Sequence, residues 1–173
     1  MKKLLISTVG LLFPLVLFAQ TATVPVYLVA EDGKGKSVGT VDFIDTSYGM
    51  LIKTHLDNLT PGNHGFHIHA NPSCADNGTA AGGHLAGPAN SDAHNGPFSD
   101  KGHLGDLPVL WVAKNREAND VLVAPRLKVS DLSKRSVMIH AKGDNYSDKP
   151  NKLGGGGDRV ACGVIKASLI KNN

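Results

Sequence analysis

Six histidines and one aspartate recur along the chain as potential metal ligands. They are His67, His69, His84, His94, His103, Asp106 and His140. The first two form an H-x-H pair within the sequence GFHIH at residues 65–69. Alternate residues of a β-strand share a face, so these two imidazoles would project outward together while Phe66 and Ile68 turn inward. Three imidazoles with one carboxylate suit tetrahedral zinc, and a separate group of imidazoles suits copper.

The long irregular segments of the chain contain most of these ligands. Residues 71–105 are rich in Gly, Asn, Asp and Pro, show no hydrophobic periodicity and contain His84, His94 and His103. A second such segment covers residues 142–158. Loops of this length in a compact domain are usually functional or disordered, and a bound metal is a credible organiser. A single histidine would more often be a surface or structural residue, so the prediction of a two-metal site rests on the joint pattern.

Short alternating apolar and polar runs, separated by turn residues, surround these segments. They predict strands at residues 24–30, 38–44, 50–56, 65–70, 107–113, 121–124, 136–140 and 163–169. A turn is expected at residues 61–63, and Ser130 is expected to cap one short helical turn. This pattern predicts an all-β fold, a Greek-key β-barrel or sandwich (immunoglobulin-like) with two long functional loops.

Residues 1–19 have the organisation of a secretory signal peptide. Two lysines precede an apolar run that ends at the small residue Ala19,. The run is shorter than the ~20 residues of a membrane-spanning helix, although an uncleaved membrane anchor is the alternative. We therefore expect a periplasmic protein whose single domain covers residues 20–173, with no membrane association after the signal is removed.

The composition argues against nucleic-acid binding. Loss of the two signal-peptide lysines lowers the net charge from +3 to +1, because 16 Lys and Arg then face 15 Asp and Glu. Aromatic residues make up only 5% of the chain, and no cluster of Lys or Arg is prominent,.

The only two cysteines, Cys74 and Cys162, would form a disulfide in an exported protein, although thiolate metal ligands are the alternative,.

Five motifs in order resemble the copper,zinc superoxide dismutases in their bacterial periplasmic form. They are GFHIHA at 65–70, GGHL at 82–85, GHLGDLP at 102–108, MIHAKGDNYSD at 138–148 and GGGGDRVACGVI at 154–165. The resemblance implies that His67, His69, His84 and His140 bind copper. It implies that His84, His94, His103 and Asp106 bind zinc. His84 is then shared, and its imidazole loses both ring protons to bridge the two metals.

The resemblance also assigns roles around the metals. Asp144 would bridge His67 and His94 through its carboxylate, although alone it would suit a simple turn. Arg159 would bind the incoming anion above the copper channel, and Cys74 and Cys162 would form the family's disulfide. Lys142, Lys149 and Lys152 would add a guiding positive field. Two further histidines are excluded from the metal sites, His55 as exposed and His64 as structural.

The resemblance implies that the protein disproportionates superoxide to oxygen and hydrogen peroxide. Superoxide would be the substrate, and copper and zinc would be the cofactors. His84 and Arg159 would be the catalytic residues. A periplasmic copper/zinc buffer or metal-delivery protein on the same fold is the alternative. The presence of both His140 and Arg159 favours the enzyme. The sequence leaves open a homodimer, in which Trp111 would belong either to the core or to an interface.

Overall fold

The computed structural model describes residues 19–87 and 93–173, which form short β-strands joined by loops and 3-10 turns. The strands are β1 (Gln20–Leu28), β2 (Ser37–Thr46), β3 (Gly49–Leu56), β4 (Gly62–His64), β5 (Phe66–His69), β6 (Leu110–Val112), β7 (Val121–Ala124), β8 (Arg135–His140), β9 (Arg159–Ile165) and β10 (Ile170–Asn172). Neither described range contains an α-helix, and no helical segment within them is long or apolar enough to cross a membrane. The predicted signal peptide falls on residues 1–18, outside the described residues, and on Ala19.

One curled antiparallel sheet contains most of the strands. Its order is β5-β8-β9-β1-β2-β3-β7, with β10 also paired to β1, while β4 and β6 pair separately. The chain leaves the sheet at its β7 edge and returns as β8, next to the opposite edge strand β5. The structure confirms the predicted all-β barrel or sandwich class.

The alternation read from the sequence accounts for the core. In β3, Met50, Ile52 and Leu56 are buried, while the intervening residues are half-buried or exposed. Thr54 is also buried, and its hydroxyl donates to the Ala118 carbonyl and accepts from the Asp120 N–H. A buried hydroxyl with both partners supplied avoids the penalty of an unpaired polar group.

Several local predictions were wrong, among them the strand at residues 107–113, of which only Leu110–Val112 forms β6. Gly62 and Asn63 belong to the short strand β4 rather than to a turn, because β6 supplies a partner far away in the sequence. β9 begins at Arg159 rather than at residue 163, since it pairs with β8, and residues 167–169 form a 3-10 turn. The helical turn is Val129–Leu132 with Lys128 at its N-cap, and the Lys128 N–H donates to the Asp131 carboxylate.

Two long connections pack against β5 and Gly65, the residue that precedes it. The first loop (residues 70–109) joins β5 to β6, and the second loop (residues 141–158) joins β8 to β9. They correspond to the two irregular segments predicted from the sequence. They position the polar residues described next.

Candidate metal centre

The first loop closes the open edge of β5. The Ile68 N–H donates to the Gly105 carbonyl at 2.8 Å, and the Leu85 N–H donates to the Ile68 carbonyl at 2.8 Å. Isolated β-bridges consequently place Asp106 beside His67, and His84 beside His69. Phe66 and Ile68 join the core as predicted. His67 and His69 lie outside the hydrophobic core, as expected. The expectation that they are exposed was wrong, because both side chains are buried.

Four imidazoles form the first cluster, which we call cluster 1: His67, His69, His84 and His140. One ligand atom from each lies within 4.8 Å of the others. The rings of His67 and His84 stack with their centroids 3.9 Å apart, and the Nε2 atoms of His69 and His140 face each other at 3.4 Å. The structure thus brings together the four histidines that the sequence assigned to copper.

Asp106 is the centre of the second cluster, cluster 2, together with His84, His94 and His103. Its Oδ1 atom lies 3.0 Å from Nδ1 of His84, 3.0 Å from Nδ1 of His94 and 3.5 Å from Nδ1 of His103. Its Oδ2 atom accepts from the Gly96 N–H. Ligand atoms of His67, His84, His94 and Asp106 lie within 4.8 Å of one another, whereas His103 does not belong to that compact group and approaches it at Asp106.

Two buried imidazole nitrogens in these clusters, Nδ1 of His67 and Nε2 of His84, have no partner. Nδ1 of His94 and Nδ1 of His103 face only the Asp106 carboxylate, without an aligned hydrogen bond. Burying an unpaired polar atom is costly, and native proteins rarely leave several together. Nitrogens aimed at common points are instead what a cation requires. Since Nδ1 of His84 faces Asp106, its Nε2 is the nitrogen that remains for cluster 1. The donor set therefore fits two adjacent metal ions that share His84.

The carboxylate of Asp144 connects the two clusters. Oδ2 lies 2.7 Å from Nε2 of His67, and Oδ1 lies 2.8 Å from Nε2 of His94. Burial alone raises the pKa of Asp144, but hydrogen bonds from both imidazoles and from the Tyr146 N–H outweigh it and hold that pKa well below its usual range. A charged carboxylate that engages Nε2 leaves Nδ1 of each ring directed at a metal, as expected of residues that orient metal ligands.

Burial sets the protonation of most of the imidazoles. Desolvation lowers the pKa of His67 to about 3, of His69 to about 2 and of His140 to about 4, and it also lowers the pKa of His84. Metal binding requires the neutral ring, so these residues are ready to act as ligands at neutral pH. His94 differs: burial lowers its pKa, but hydrogen bonds to the carboxylates of Asp106 and Asp144 outweigh this effect and raise it to about 9.

The guanidinium of Arg159 is fixed beside cluster 1. Nη2 donates to the Gly82 carbonyl at 2.6 Å, and Nη1 donates to the Gly78 carbonyl. Gly82 is also the hydrogen-bond partner of His69, whose Nδ1 lies 2.9 Å from the same carbonyl oxygen. Arg159 lines a surface pocket of about 410 Å³. The same pocket is lined by Gly157, whose carbonyl lies 3.1 Å from Nδ1 of His140 in cluster 1.

Residues 37–165 match the family model described as copper/zinc superoxide dismutase (SODC). The chain belongs to this family. It is 45% identical to a superoxide dismutase [Cu-Zn] of Brucella abortus, covering 96% of this chain and 100% of that protein. The solved structure of Cu/Zn superoxide dismutase from Brucella abortus has a TM-score of 0.79 and 46% identity, covering 84% of this chain and 99% of that one. A monomeric copper, zinc superoxide dismutase from Salmonella enterica has a TM-score of 0.74 and 48% identity, with the same coverage.

The disulfide predicted for this member of the dismutase family is present. Cys74 and Cys162 are bonded across 88 residues of sequence and connect the first loop to β9. Neither cysteine is therefore a thiolate metal ligand. Cys162 lies three residues beyond Arg159, so the bond joins the strand that carries the guanidinium to the loop that holds it.

The two histidines excluded from the metal sites lie outside both clusters. His55 is exposed, with its Nε2 atom 3.3 Å from Asp42 on the neighbouring strand. His64 is buried, with Nδ1 2.6 Å from the His140 carbonyl oxygen and Nε2 2.6 Å from that of Thr60. His64 thus supports the backbone of His140 rather than presenting a nitrogen to a metal.

Three residues around the dismutase site were given no role in the sequence analysis, although Tyr146 and Asp148 lie within one of its motifs. Tyr146 packs its ring against Gly96, and its hydroxyl accepts from the Val109 N–H at 2.8 Å. The carboxylate of Asp148 accepts from the backbone N–H groups of His94 and Leu153. Arg126 donates to carbonyls of the first loop. Most of these contacts join residues distant in the sequence, so no spacing rule would have found them.

Proposed function

We propose that the protein is a superoxide dismutase that converts superoxide to oxygen and hydrogen peroxide, with copper and zinc as its metals. The observation that carries this proposal is the pair of adjacent buried clusters joined at His84, whose Nδ1 faces Asp106 while its Nε2 has no partner. Family membership supports the same chemistry.

The two metals divide the ligands between the clusters. His67, His69, His84 and His140 would hold copper, and His84, His94, His103 and Asp106 would hold zinc. Seven groups fill two four-coordinate sites only if one ligand is shared. His84 meets this requirement, because one ring nitrogen faces Asp106 and the other has no partner.

When bound, copper supplies one-electron redox chemistry, and zinc supplies fixed positive charge without redox chemistry of its own. With both metals bound, the His84 ring would give up both of its protons, and Nε2, which has no partner here, would be the atom that takes up and releases a proton,. Asp144 keeps His67 and His94 in the tautomer that leaves Nδ1 for the metals.

Arg159 binds and orients the anionic substrate. Its planar guanidinium is held by two carbonyl oxygens, which compensate little of its charge, so a small anion can pair with it,. Lys142, Lys149 and Lys152 are exposed on the second loop and extend the positive field around the approach to this group,.

Metal analysis combined with an activity assay tests this function. We expect one copper and one zinc per mature chain and rapid superoxide consumption. The activity should disappear when copper is removed and return when copper is restored. A buffer or metal-delivery protein on the same fold would bind both metals without consuming superoxide. Zinc in both clusters with no copper uptake would contradict the assignment.

We further propose that residues 1–19 are a signal peptide and that the mature domain, residues 20–173, acts in the periplasm. A disulfide is typical of an oxidising compartment, and β1 begins at Gln20, immediately after the expected cleavage position,. The mass and N-terminal sequence of protein from a periplasmic extract test this proposal. A chain that retains residues 1–19 in the membrane fraction would refute it.

We also propose a homodimer that covers the exposed apolar side chains of Trp111, Val121 and Val123. Trp111 is 54% exposed and Val121 is 65% exposed, so neither belongs to the core. The Trp111 N–H donates to the Asp120 carboxylate at 2.9 Å, so β6 lies close to the start of β7, where Val121 is exposed. Exposed apolar patches often mark interfaces. Light scattering should detect a dimer that Trp111→Lys dissociates, whereas a wild-type monomer at all concentrations would exclude it.

A further inference from the structure

Arg126 belongs to neither metal cluster, yet its guanidinium binds the loop that carries the proposed zinc ligands. Nε donates to the Pro97 carbonyl at 3.0 Å, and Nη1 donates to the Gly102 carbonyl at 3.3 Å. Nη2 donates to the Gly96 carbonyl at 3.3 Å and also to the His103 carbonyl. A guanidinium has five N–H donors in one rigid plane, so four carbonyls engage most of its capacity.

The backbone beneath this guanidinium is firmly held. Arg126 follows Pro125 in a tight turn closed by the Leu127 N–H, which donates to the Ala124 carbonyl. Leu127 is 1% exposed and packs in the core. On the other side Gly49 approaches so closely that an added Cβ would lie 2.5 Å from the Pro125 Cα atom. The side chain of Arg126 therefore extends from a rigid base into the first loop.

The four carbonyls come from the two arms of a closed turn within the first loop. Gly96 and Pro97 belong to one arm, and Gly102 and His103 belong to the other. The arms also touch directly, since the His103 N–H donates to the Ala93 carbonyl at 3.0 Å. Arg126 thus joins the arms that carry His94 and His103.

The same contacts reach the carboxylate of cluster 2. The Gly96 carbonyl accepts from Arg126, and the Gly96 N–H donates to Oδ2 of Asp106 at 3.2 Å. Within the described residues Arg126 forms no ion pair, so its partners are the loop carbonyls. A charged donor holding several neutral carbonyls is a strong local constraint.

We propose that Arg126 is a positioning residue for the zinc site, which holds His94, His103 and Asp106 in register by clamping both arms of the loop. This inference rests on the zinc ligand set proposed above. Cluster 1 depends far less on the clamp, because three of its four histidines lie on β5 and β8. Loss of the guanidinium should therefore weaken zinc binding and spare copper.

The test uses the mature protein loaded with both metals and carrying Arg126→Gln or Arg126→Lys. Zinc affinity, measured by competition with a chelator, should fall about 10- to 100-fold, the range found when residues that orient metal ligands are replaced. Copper content should stay at the wild-type level and report that the variants are folded. With Co²⁺ in place of zinc, the visible spectrum should change because the ligand geometry relaxes. The lysine variant keeps the charge, but a single ammonium cannot span four carbonyls.

Arg116→Gln is the matched control. Arg116 is exposed and donates to the Asn58 carbonyl, away from the first loop, so its replacement should leave zinc affinity and the cobalt spectrum unchanged. A lower melting temperature with wild-type zinc affinity and cobalt spectrum in both Arg126 variants would overturn the inference, because it would indicate a purely structural role.

His94→Ala distinguishes this inference from the proposed ligand set. If His94→Ala loses zinc while both Arg126 variants bind it normally, the ligand set stands and the role of Arg126 is refuted. If His94→Ala also keeps full zinc affinity, the ligand set is wrong and the role of Arg126 falls with it.

Discussion

The guanidinium of Arg159 is oriented by two carbonyl oxygens. Among the described residues, no carboxylate forms an ion pair with it. Its charge is therefore available to an incoming anion. Arg159→Ala should keep both metals, because this residue is not a ligand, and should lower the dismutation rate about tenfold or more through the loss of electrostatic guidance. Arg159→Lys should lie between wild type and alanine, since it keeps the charge but loses the planar fork.

Rates measured at low ionic strength, together with azide affinity at copper, test this prediction. Arg116→Ala serves as the control, because it removes an exposed arginine elsewhere on the surface. Arg159→Glu should be the slowest variant, since it repels the substrate. A wild-type rate in fully metallated Arg159→Glu would remove Arg159 from the mechanism.

At the scale of elements, the two loops meet where Gly154 and Asp144 of the second loop contact His94 of the first. An added Cβ at Gly154 would lie 1.9 Å from Oδ1 of Asp144 and 2.8 Å from Nε2 of His94. Gly154→Ala should therefore displace the carboxylate that orients His67 and His94, and should lower metal affinity about 10- to 100-fold. Chelator competition measures this change.

Gly155→Ala provides the matched control for backbone strain. Gly154 and Gly155 both have positive φ, at 69° and 77°, so alanine is strained at either position,. At Gly155 the nearest atoms to an added Cβ belong to Asn151, at 3.6 Å. Equal metal affinities in the two variants would show that the contact with Asp144 is unimportant.

The disulfide connects the first loop to β9. Replacing both Cys74 and Cys162 with alanine should lower the free energy of unfolding by about 4–5 kcal/mol, the chain-entropy value for a loop of this length. It should also weaken azide binding, because the loop that holds Arg159 is released from the strand. Urea unfolding and azide titration test the two effects separately. Unchanged stability in the double variant would contradict the first expectation.

For the whole molecule, the buried histidines determine how the metal-free protein responds to acid. Desolvation lowers the pKa of His67 to about 3, of His69 to about 2 and of His140 to about 4, from 6.5 in the unfolded chain. Below pH 6.5 the unfolded chain binds protons that the folded protein does not. Stability is therefore complete above that pH and falls as the pH drops, by up to about 1.4 kcal/mol per pH unit for each histidine.

His94 acts in the opposite direction. Because the carboxylates of Asp106 and Asp144 outweigh burial and raise its pKa to about 9, its contribution is complete below pH 6.5 and is lost as the pH rises through 9. The metal-free protein should consequently be most stable near pH 6.5. Urea unfolding at pH 5.5, 6.5 and 8.5 tests this prediction. A stability that does not change between pH 6.5 and 5.5 would contradict it.

Local patterns in the sequence predicted the type of fold, which the structure confirms, and a candidate set of metal ligands. The alternation in β3 and the bounds of β7 could be read directly, because each depends on a few consecutive side chains. The motifs likewise identified the histidines, Asp144, Arg159 and the two cysteines. The short strands β4 and β10 were missed, since a segment of three residues has too little periodicity to be recognised without its partner.

Only the tertiary structure decided how those residues are arranged. It alone brought Asp144 to His67 and His94 across 77 and 50 residues of sequence, and Arg126 to the loop that precedes it by 23 to 30 residues. It also covered His67 and His69, which alternation placed on the outer face. The physical reason is that alternation reports only which face of a strand a side chain takes. What covers that face depends on chain segments that folding brings together.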